Sequence, residues 1–258
     1  MPKKYIFIDI DGTVLDHSTR TIPESTKLAI KKAKSNGHEV IINTGRPPCL
    51  FYGIDKEIGV TSFVAANGRY AVHNGEVILN KTIDREIITK VVKFAEDNRI
   101  DLGFEGLNAF KRQTSFGNLY QKFSNNFHLE VPELDPEFYL NNDIYQMTLY
   151  YDRDDYQRFE AHFPNLTFAY SCEYGIDVNS KGGLKEEGIE AFIKRYNIPK
   201  EDIIAIGDGH NDVSMFNFVH TSVAMGNAKD FVKEHATYVT DDVSNNGFYK
   251  AFEMLKLI

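Results

Sequence analysis

The sequence of 258 residues lacks tryptophan, has only two cysteines and contains no long apolar run. Cys49 and Cys172 cannot build a disulfide framework. The longest apolar runs are of strand length, far below the roughly 18 residues that a membrane-spanning helix needs. The N-terminal residues also show no apolar stretch of the kind found in a signal peptide. These absences predict a cytoplasmic protein that does not act at a membrane.

The sequence also has no excess of basic residues. Its 29 basic and 37 acidic residues give a net charge of −8. This charge argues against a nucleic-acid partner, which requires clustered lysine and arginine. A small anionic substrate remains compatible with it, because a divalent metal or a few local cations can reverse the field inside a pocket. The charge also permits a monomer, which is the oligomeric state that we favour.

Strands and helices alternate in both end regions of the chain. The predicted elements are strands at 5–10, 38–43 and 61–66, a helix at 24–36, a helix at 184–196, a strand at 202–206 and short strands at 222–225 and 236–239. The Asn74-Gly75 pair predicts a hairpin turn after the third strand. Such alternation is typical of an α/β fold with a mostly parallel sheet covered on both faces.

The middle of the chain has a different composition. The stretch from 83 to 178 holds 18 of the 33 aromatic residues, many of them in strand-like segments. We interpret these aromatics as the core of a small α+β domain, in preference to a stacking surface for a ligand. The sequence therefore predicts a core domain formed by 1–82 and 179–258, with an inserted domain at 83–178.

Two carboxylates follow the first predicted strand, in the segment Asp9-Ile10-Asp11-Gly12-Thr13. Residues at i and i+2 of a strand point to the same face, and Gly12 lets the chain turn directly afterwards. Open α/β sheets bind ligands at the carboxyl ends of their strands. Such a pair can bind a divalent cation, or it can divide into a nucleophile and an acid/base.

Polar groups also follow two other strands, in the segments NTGR at 43–46 and GDGHND at 207–212. A hydroxyl, a flexible backbone and a guanidinium in the first segment suit a phosphate oxygen. Carboxylates that converge from separate strands repel one another unless a cation lies among them, and ligands made only of oxygen favour Mg²⁺ over zinc. Lys185, or alternatively Lys181, could balance this charge. We interpret His210 as a loop residue, because nothing pairs with it in the sequence.

The order and spacing of these motifs resemble the haloacid dehalogenase (HAD) superfamily of phosphotransferases. DIDGT at 9–13 is similar to its first motif, Thr44 to the second, Lys185 to the third and GDGHND at 207–212 to the fourth. The insertion at 83–178 has the size and position of the large α/β cap of the Cof-type subfamily. Asn-Gly at 67–68, AMGNA at 224–228 and NGF at 246–248 add to this resemblance. It implies a Rossmann-like core with an inserted α+β cap.

The resemblance also implies a role for each matching residue. Asp9 would attack phosphorus and form an aspartyl-phosphate, while Asp11 would act as the acid and base. Thr44 and Lys185 would hold the transferring phosphoryl group. The protein ligands of Mg²⁺ would be Asp9, the backbone carbonyl of Asp11, and Asp208.

Further residues are expected around this centre. Gly45 and Arg46 are expected to contact the phosphate or the substrate. Asp212 and Asn211 are expected to orient the site from just outside the metal ligands. For any one polar residue of the cap, an ordinary surface role is the more frequent case, but three are candidates for substrate contact: Glu105, Arg112 and Ser115.

The resemblance therefore implies a Mg²⁺-dependent phosphatase of small phosphorylated metabolites, with sugar phosphates as the favoured class. One alternative is a phosphomutase, which would return the phosphoryl group to the substrate instead of passing it to water. Another is an inactive sugar-phosphate sensor. A protein that only binds its ligand has no chemical need for both Asp9 and Asp11, and this disfavours the sensor.

Overall fold

The computed structural model describes residues 2–153, 155–182 and 184–258. Its strands, numbered in chain order, are β1 (Tyr5–Ile8), β2 (Glu39–Asn43), β3 (Phe63–Ala65), β4 (Tyr70–His73), β5 (Glu76–Asn80), β6 (Asp101–Glu105), β7 (Phe110–Arg112), β8 (Glu133–Leu134), β9 (Gln146–Tyr150), β10 (Leu166–Cys172), β11 (Gly175–Ser180), β12 (Ile203–Gly207), β13 (Thr221–Ala224) and β14 (Tyr238–Val239). Its α-helices are α1 (Glu24–Ser35), α2 (Ile54–Glu57), α3 (Arg85–Asp97), α4 (Leu119–Asn126), α5 (Phe138–Asn141), α6 (Arg158–His162), α7 (Lys185–Tyr196), α8 (Asp212–Phe218), α9 (Asp230–Lys233) and α10 (Gly247–Met254). No helix within the described ranges is long and apolar enough to cross a membrane.

The chain divides into two compact units. The core unit comprises Met1–Gly45, Gly53–Leu79 and Leu184–Ile258, and the inserted unit comprises Arg46–Tyr52 and Asn80–Gly183. These bounds differ from the predicted 1–82, 83–178 and 179–258 at each junction. One reason is that β11 continues the inserted unit's sheet as far as Ser180. The other is that the short segment 46–52 packs within the inserted unit, which no feature of its sequence indicated.

The core unit is built on an eight-stranded sheet with the order β14-β13-β12-β1-β2-β3-β4-β5. Neighbouring strands from β14 to β3 are parallel, and β4 runs antiparallel to β3. The turn between β4 and β5 falls at Asn74-Gly75, as the sequence predicts. The α/β fold with a mostly parallel sheet is therefore confirmed.

Side chains on both faces of β1 are buried, because helices cover both sides of the sheet. On one face Phe7 packs edge-on against Phe192 of α7, with ring centroids 5.3 Å apart. On the other face Ile6 and Ile8 are also fully buried. Helix α1 contacts β2 and α10, and its buried residues recur at helical spacing, which explains why this segment folds as an amphipathic helix.

The inserted unit has its own six-stranded sheet, with the order β10-β11-β9-β6-β7-β8. Its pairs are antiparallel except for β7 and β8. Aromatic side chains pack in two buried clusters of this unit, one around Phe104 and Phe159 and one around Phe123 and Tyr150. The interpretation of the aromatic-rich stretch as a domain core is confirmed.

Candidate active site

Asp9 lies directly after β1 in the core unit, and its side chain is buried. The chain turns at once, because the main-chain amides of Val14 and Leu15 donate to the carbonyl oxygen of Ile10 at 3.0 and 2.8 Å. The expectation that Asp9 and Asp11 share one face of a strand is therefore wrong. The strand ends before Asp9, and Asp11 belongs to the turn that follows.

Lys185, the first residue of α7, lies between two carboxylates. Its Nζ donates to Oδ1 of Asp9 at 2.6 Å and to Oδ1 of Asp212 at 2.5 Å. Lys185 is fully buried, so solvent does not weaken these ion pairs. Lys181, the alternative, is exposed beyond β11 in the inserted unit. The structure thus brings Lys185 to Asp9.

Asp212 ties the loop after β12 to this lysine. Its Oδ2 accepts hydrogen bonds from the main-chain amides of Asp208 and Gly209 at 2.9 and 2.8 Å. Both oxygens of this fully buried carboxylate therefore have partners, because its Oδ1 accepts from Lys185. A carboxylate held in this way fixes the position of Lys185 relative to the loop after β12.

Asp208 is held by residues from two other loops. Thr13 Oγ1 donates to its Oδ1 at 2.8 Å, and Asn227 Nδ2 donates to its Oδ2 at 3.1 Å. Asn227 Nδ2 also donates to the carbonyl oxygen of Gly12 at 2.8 Å. Gly12 has φ +78°, and a Cβ on it would lie 2.2 Å from Asp208 Oδ2. Both the conformation and the space at this position therefore require glycine.

One carboxylate oxygen each of Asp9, Asp208 and Asp212 lies within 4.8 Å of the other two. Burial raises the pKa of Asp9 to about 7, Lys185 acts in the opposite direction, and Asp212 raises it further. Burial, Asp9 and Asp212 together raise the pKa of Asp208 well above its ordinary value. Three carboxylates against one lysine leave an excess of negative charge. This set of oxygen donors fits a hard divalent cation such as Mg²⁺.

Asp11 lies outside this trio of carboxylates. Its Oδ1 is 3.6 Å from Nε2 of His17, a residue that the sequence analysis did not consider. No regular spacing predicts a contact between Asp11 and a histidine six residues later in a turn, so the sequence carried no signal for it. His210 lies in a loop, as the sequence predicts, with its ring 5.1 Å from that of Phe231.

Thr44 and Gly45 follow β2 and are fixed by the turn after β3. The main-chain amide of Asn67 donates to the carbonyl oxygen of Thr44 at 3.2 Å. The side chains of Asn211 and Asn67 hydrogen-bond to each other at 3.0 Å, and a Cβ on Gly45 would lie 3.2 Å from both. In the sequence, Asn67 stands out only as part of the Asn-Gly pair that adds to the family resemblance. In the structure it joins the loops after three strands.

Arg46 begins the segment that belongs to the inserted unit, and its Nη1 donates to the carbonyl oxygen of Leu50 at 2.8 Å. The three cap candidates also lie in this unit. Ser115 lies in a loop, but Glu105 and Arg112 are the last residues of β6 and β7. The expectation of an ordinary surface role is wrong for Glu105, which is only 3% exposed.

Comparison with known proteins agrees with this architecture. The family described as haloacid dehalogenase-like hydrolase matches residues 6–252. The chain is 34% identical over the full length of both chains to YkrA of Bacillus subtilis (strain 168), which is provisionally named a phosphatase. A hypothetical protein from Geobacillus kaustophilus HTA426 has a solved structure that matches with a TM-score of 0.89 and 35% identity over 99% of this chain and 100% of that one.

A third protein is the HAD subclass IIB sugar phosphatase BT4131, with a TM-score of 0.88 and 29% identity over 99% of this chain and 100% of that one. The chain belongs to the haloacid dehalogenase-like hydrolase family. Within this family it is a phosphatase with a Rossmann-like core.

Proposed function

We propose that this phosphatase is Mg²⁺-dependent and hydrolyses small phosphorylated metabolites, with sugar phosphates as its substrate class. The observation that carries the proposal is the buried arrangement of Asp9 and Lys185 beside the carboxylates of Asp208 and Asp212. It combines a nucleophile, a fixed cation and a set of oxygen ligands in one place.

In this proposal Asp9 attacks phosphorus through a carboxylate oxygen, and the bond to the substrate's ester oxygen breaks. Asp11 donates a proton to that oxygen, so the leaving group departs as a neutral alcohol. Water then attacks phosphorus in the aspartyl-phosphate while Asp11 takes its proton. The products are phosphate and regenerated Asp9. Covalent catalysis of this kind replaces one difficult displacement with two easier ones.

Asp9, the backbone carbonyl of Asp11, and Asp208 are the residues proposed to hold Mg²⁺. When bound, the ion would supply positive charge to the transferring phosphoryl oxygens. Asp212 accepts three hydrogen bonds, one of them from the ammonium group of Lys185, whereas Asp208 accepts only from neutral groups among the described residues; this supports an orienting role for Asp212 instead of a ligand role. Thr44 and Lys185 are proposed to hold the phosphoryl group, with Gly45, Arg46 and Asn211 beside them.

Similarity to a sugar phosphatase along almost the whole chain supports the substrate class. The inserted unit is proposed to act as the cap, which excludes bulk water and supplies contacts to the leaving group. Cys49 and Cys172 are both free thiols, which supports the proposal of a reducing, cytoplasmic compartment.

The test is release of inorganic phosphate from a panel of sugar phosphates, nucleotides, phosphoglycolate and pyridoxal phosphate, with Mg²⁺ and with EDTA. Wild-type protein should release phosphate only with Mg²⁺, and Asp9→Asn should lose this activity. Asp84→Asn is the matched control, because Asp84 caps α3 in the inserted unit and has no proposed catalytic role.

Equal rates for Asp9→Asn and wild type would rule out the covalent mechanism. A folded wild-type protein that releases no phosphate from any compound would contradict the proposed substrate class. Product analysis by NMR separates hydrolysis from a phosphomutase, because the mutase forms an isomer of the substrate without phosphate release.

A further inference from the structure

A groove lined by lysines lies between helices α1 and α2 of the core unit. Lys27, Lys31 and Lys34 follow one another on α1 at spacings of four and three residues, so their side chains share one face of the helix. Lys56 on α2 also lines the groove. The cavity has a volume of about 510 Å³, and the acidic residue among its described lining residues is Glu57. We call this cavity the lysine groove.

Two of the lysines hold the walls of the lysine groove together. Lys27 Nζ forms an ion pair with Glu57 of α2 at 2.8 Å. Lys34 Nζ donates to the carbonyl oxygen of Gly59, in the loop that follows α2. Both contacts join α1 to the segment that leads into β3. The groove is therefore formed by contacts between two separate elements of the fold.

The other two lysines leave the groove with unbalanced positive charge. Lys31 and Lys56 are exposed, and neither forms an ion pair with a residue that the structure describes. Four ammonium groups therefore face one carboxylate, on a chain whose net charge is −8. Lysines in the last turn of a helix complement its dipole, which explains Lys34 but not Lys56 on another helix. Like charges at this helical spacing repel one another, so an anion bound in the groove would relieve an unfavourable arrangement.

A second cavity, of about 880 Å³, adjoins the lysine groove and shares Lys56 and Gly59 with it. Phe63 and Val72 line this cavity, and they lie opposite each other in the register of β3 and β4, so they share one face of the sheet. Its lining also includes the carboxylate of Asp55. An aromatic ring can pack against a nucleobase, and a carboxylate can accept hydrogen bonds from the hydroxyls of a ribose. The second cavity therefore suits a nucleoside.

Both cavities lie away from the proposed phosphatase site. The segment 58–62 leads into β3, and Lys34 lies at the end of the helix that precedes β2, so this region is at the amino ends of two parallel strands. Thr44 follows the carboxyl end of β2. A ligand in the lysine groove therefore binds at the opposite edge of the sheet from the residues proposed to hold the phosphoryl group.

We propose that the lysine groove and the adjoining cavity together bind a nucleoside polyphosphate. In this arrangement the phosphates accept hydrogen bonds from Lys31 and Lys56, the sugar hydroxyls donate to Asp55, and the base packs against Phe63. Several lysines in one groove favour a ligand with several phosphate groups over a single phosphate. The residues that the two cavities share place a nucleoside directly beside those phosphates. This inference is independent of the proposed phosphatase reaction.

The test measures the binding of ATP, tripolyphosphate and adenosine by isothermal titration calorimetry, with EDTA present to prevent metal-dependent turnover. ATP should bind more tightly than either of the other two, because each of them fits one cavity only. Lys31→Gln and Lys56→Gln should each weaken ATP binding about three- to tenfold, as expected for the loss of one charged contact at an exposed site. Lys32→Gln is the matched control, because Lys32 is the next residue of α1 but donates to Tyr249 at 2.8 Å. Its Kd for ATP should equal that of wild type.

Equal Kd values for ATP in Lys31→Gln, Lys56→Gln and Lys32→Gln would overturn the inference, because the nucleotide would then bind elsewhere. Tripolyphosphate that binds as tightly as ATP would reject a nucleoside in the second cavity, whereas Phe63→Leu should weaken the binding of ATP alone. Absence of ATP binding to the wild type would reject the site. None of these results bears on phosphate release, for which Lys31→Gln and Lys56→Gln should keep the wild-type kcat/KM.

Discussion

Each unit buries acidic side chains, but the two units treat the buried charge differently. In the core unit, Lys185 forms ion pairs with both Asp9 and Asp212. In the inserted unit, the carboxyl of Glu105 is as deeply buried, but its hydrogen-bond donors among the described residues are an amide and a hydroxyl. An isolated carboxylate is costly to bury, so it must be paired with a cation or take up a proton.

The difference indicates what each cluster can do. A carboxylate that lies beside a fixed lysine and two further carboxylates can serve as a nucleophile and can attract a metal ion. A carboxyl whose pKa is raised to about 8 is mostly neutral near pH 7, and it is suited to hydrogen bonding. The four predictions below test this contrast, beginning with the largest effect.

Lys185→Met should have the largest effect, because it leaves two buried carboxylates without their cation. Removal of one partner from a buried ion pair costs about 3–5 kcal/mol. Loss of the charge that is proposed to hold the phosphoryl group should also lower kcat by about 10²- to 10³-fold. Urea denaturation and phosphate release measure the two effects. Lys194→Met on the same helix, where the exposed Lys194 pairs with Glu190, is the control and should change neither value appreciably.

Gly12→Ala should disturb the core cluster through space and conformation together. The new Cβ would lie 2.2 Å from Asp208 Oδ2, at a residue with φ +78°. Gly37→Ala separates the two causes, because Gly37 has φ +87° but nothing within 4 Å of the added atom. Both variants should lose about 1–2 kcal/mol of stability from backbone strain. Only Gly12→Ala should also lose phosphate release, and full activity in this variant would contradict the packing described for Asp208.

Glu105→Gln should change the pH dependence of stability. The pKa of Glu105 rises from 4.5 to about 8 on folding, so between these values the native state binds more protons than the unfolded state. Stability of the wild type should therefore fall as pH rises through this window. Glutamine mimics the protonated carboxyl, so the variant should not lose this stability as the pH rises. As the pH rises from 5 to 9, roughly the window given by the pKa rise, the Tm of the variant should increase relative to that of the wild type. A constant difference would show that Glu105 stays ionised.

Asn67→Ala should have the smallest effect. It removes the hydrogen bond to Asn211, and the turn that holds Thr44 should loosen, lowering kcat/KM by roughly three- to tenfold. Asn74→Ala is the matched control, because Asn67 and Asn74 share the same backbone angle, φ 49°. Both variants should lose stability to strain, whereas Asn74→Ala should keep its activity. Equal activity of the two variants would contradict a positioning role for Asn67.

Much of this architecture could be predicted because its signals are local. Strand-length apolar runs end at polar segments, and parallel strands bring their carboxyl ends to one edge of the sheet. These signals predict the alternation of strands and helices in the core unit, and they place Asp9 and Asp208 at one edge of its sheet. The choice of Lys185 over Lys181 depended on the resemblance to the family, since the composition around the two lysines does not separate them.

The remaining features depend on contacts between residues distant in the sequence. Amide side chains such as Asn67 and Asn227 bridge separate loops, and a lone asparagine gives no spacing pattern that predicts its partner. The segment 46–52 has no property that assigns it to the inserted unit. Glu105 has an acidic side chain, which favours an exposed position, and only the strand pairing of β6 with β9 explains its burial.

The position of β12 in the sheet has a consequence for synthesis of the protein. β1 pairs with β12 on one side, in a register that joins Tyr5 to Ile203. A growing chain on the ribosome therefore completes the segment 80–183 before the partner of β1 has been made. The inserted unit contains its own sheet, so its strand pairing does not need β12, whereas one edge of β1 has no partner strand until β12 has been made. The proposed phosphatase reaction uses Lys185 and Asp208, so a nascent chain cannot carry it out until both residues have left the ribosome.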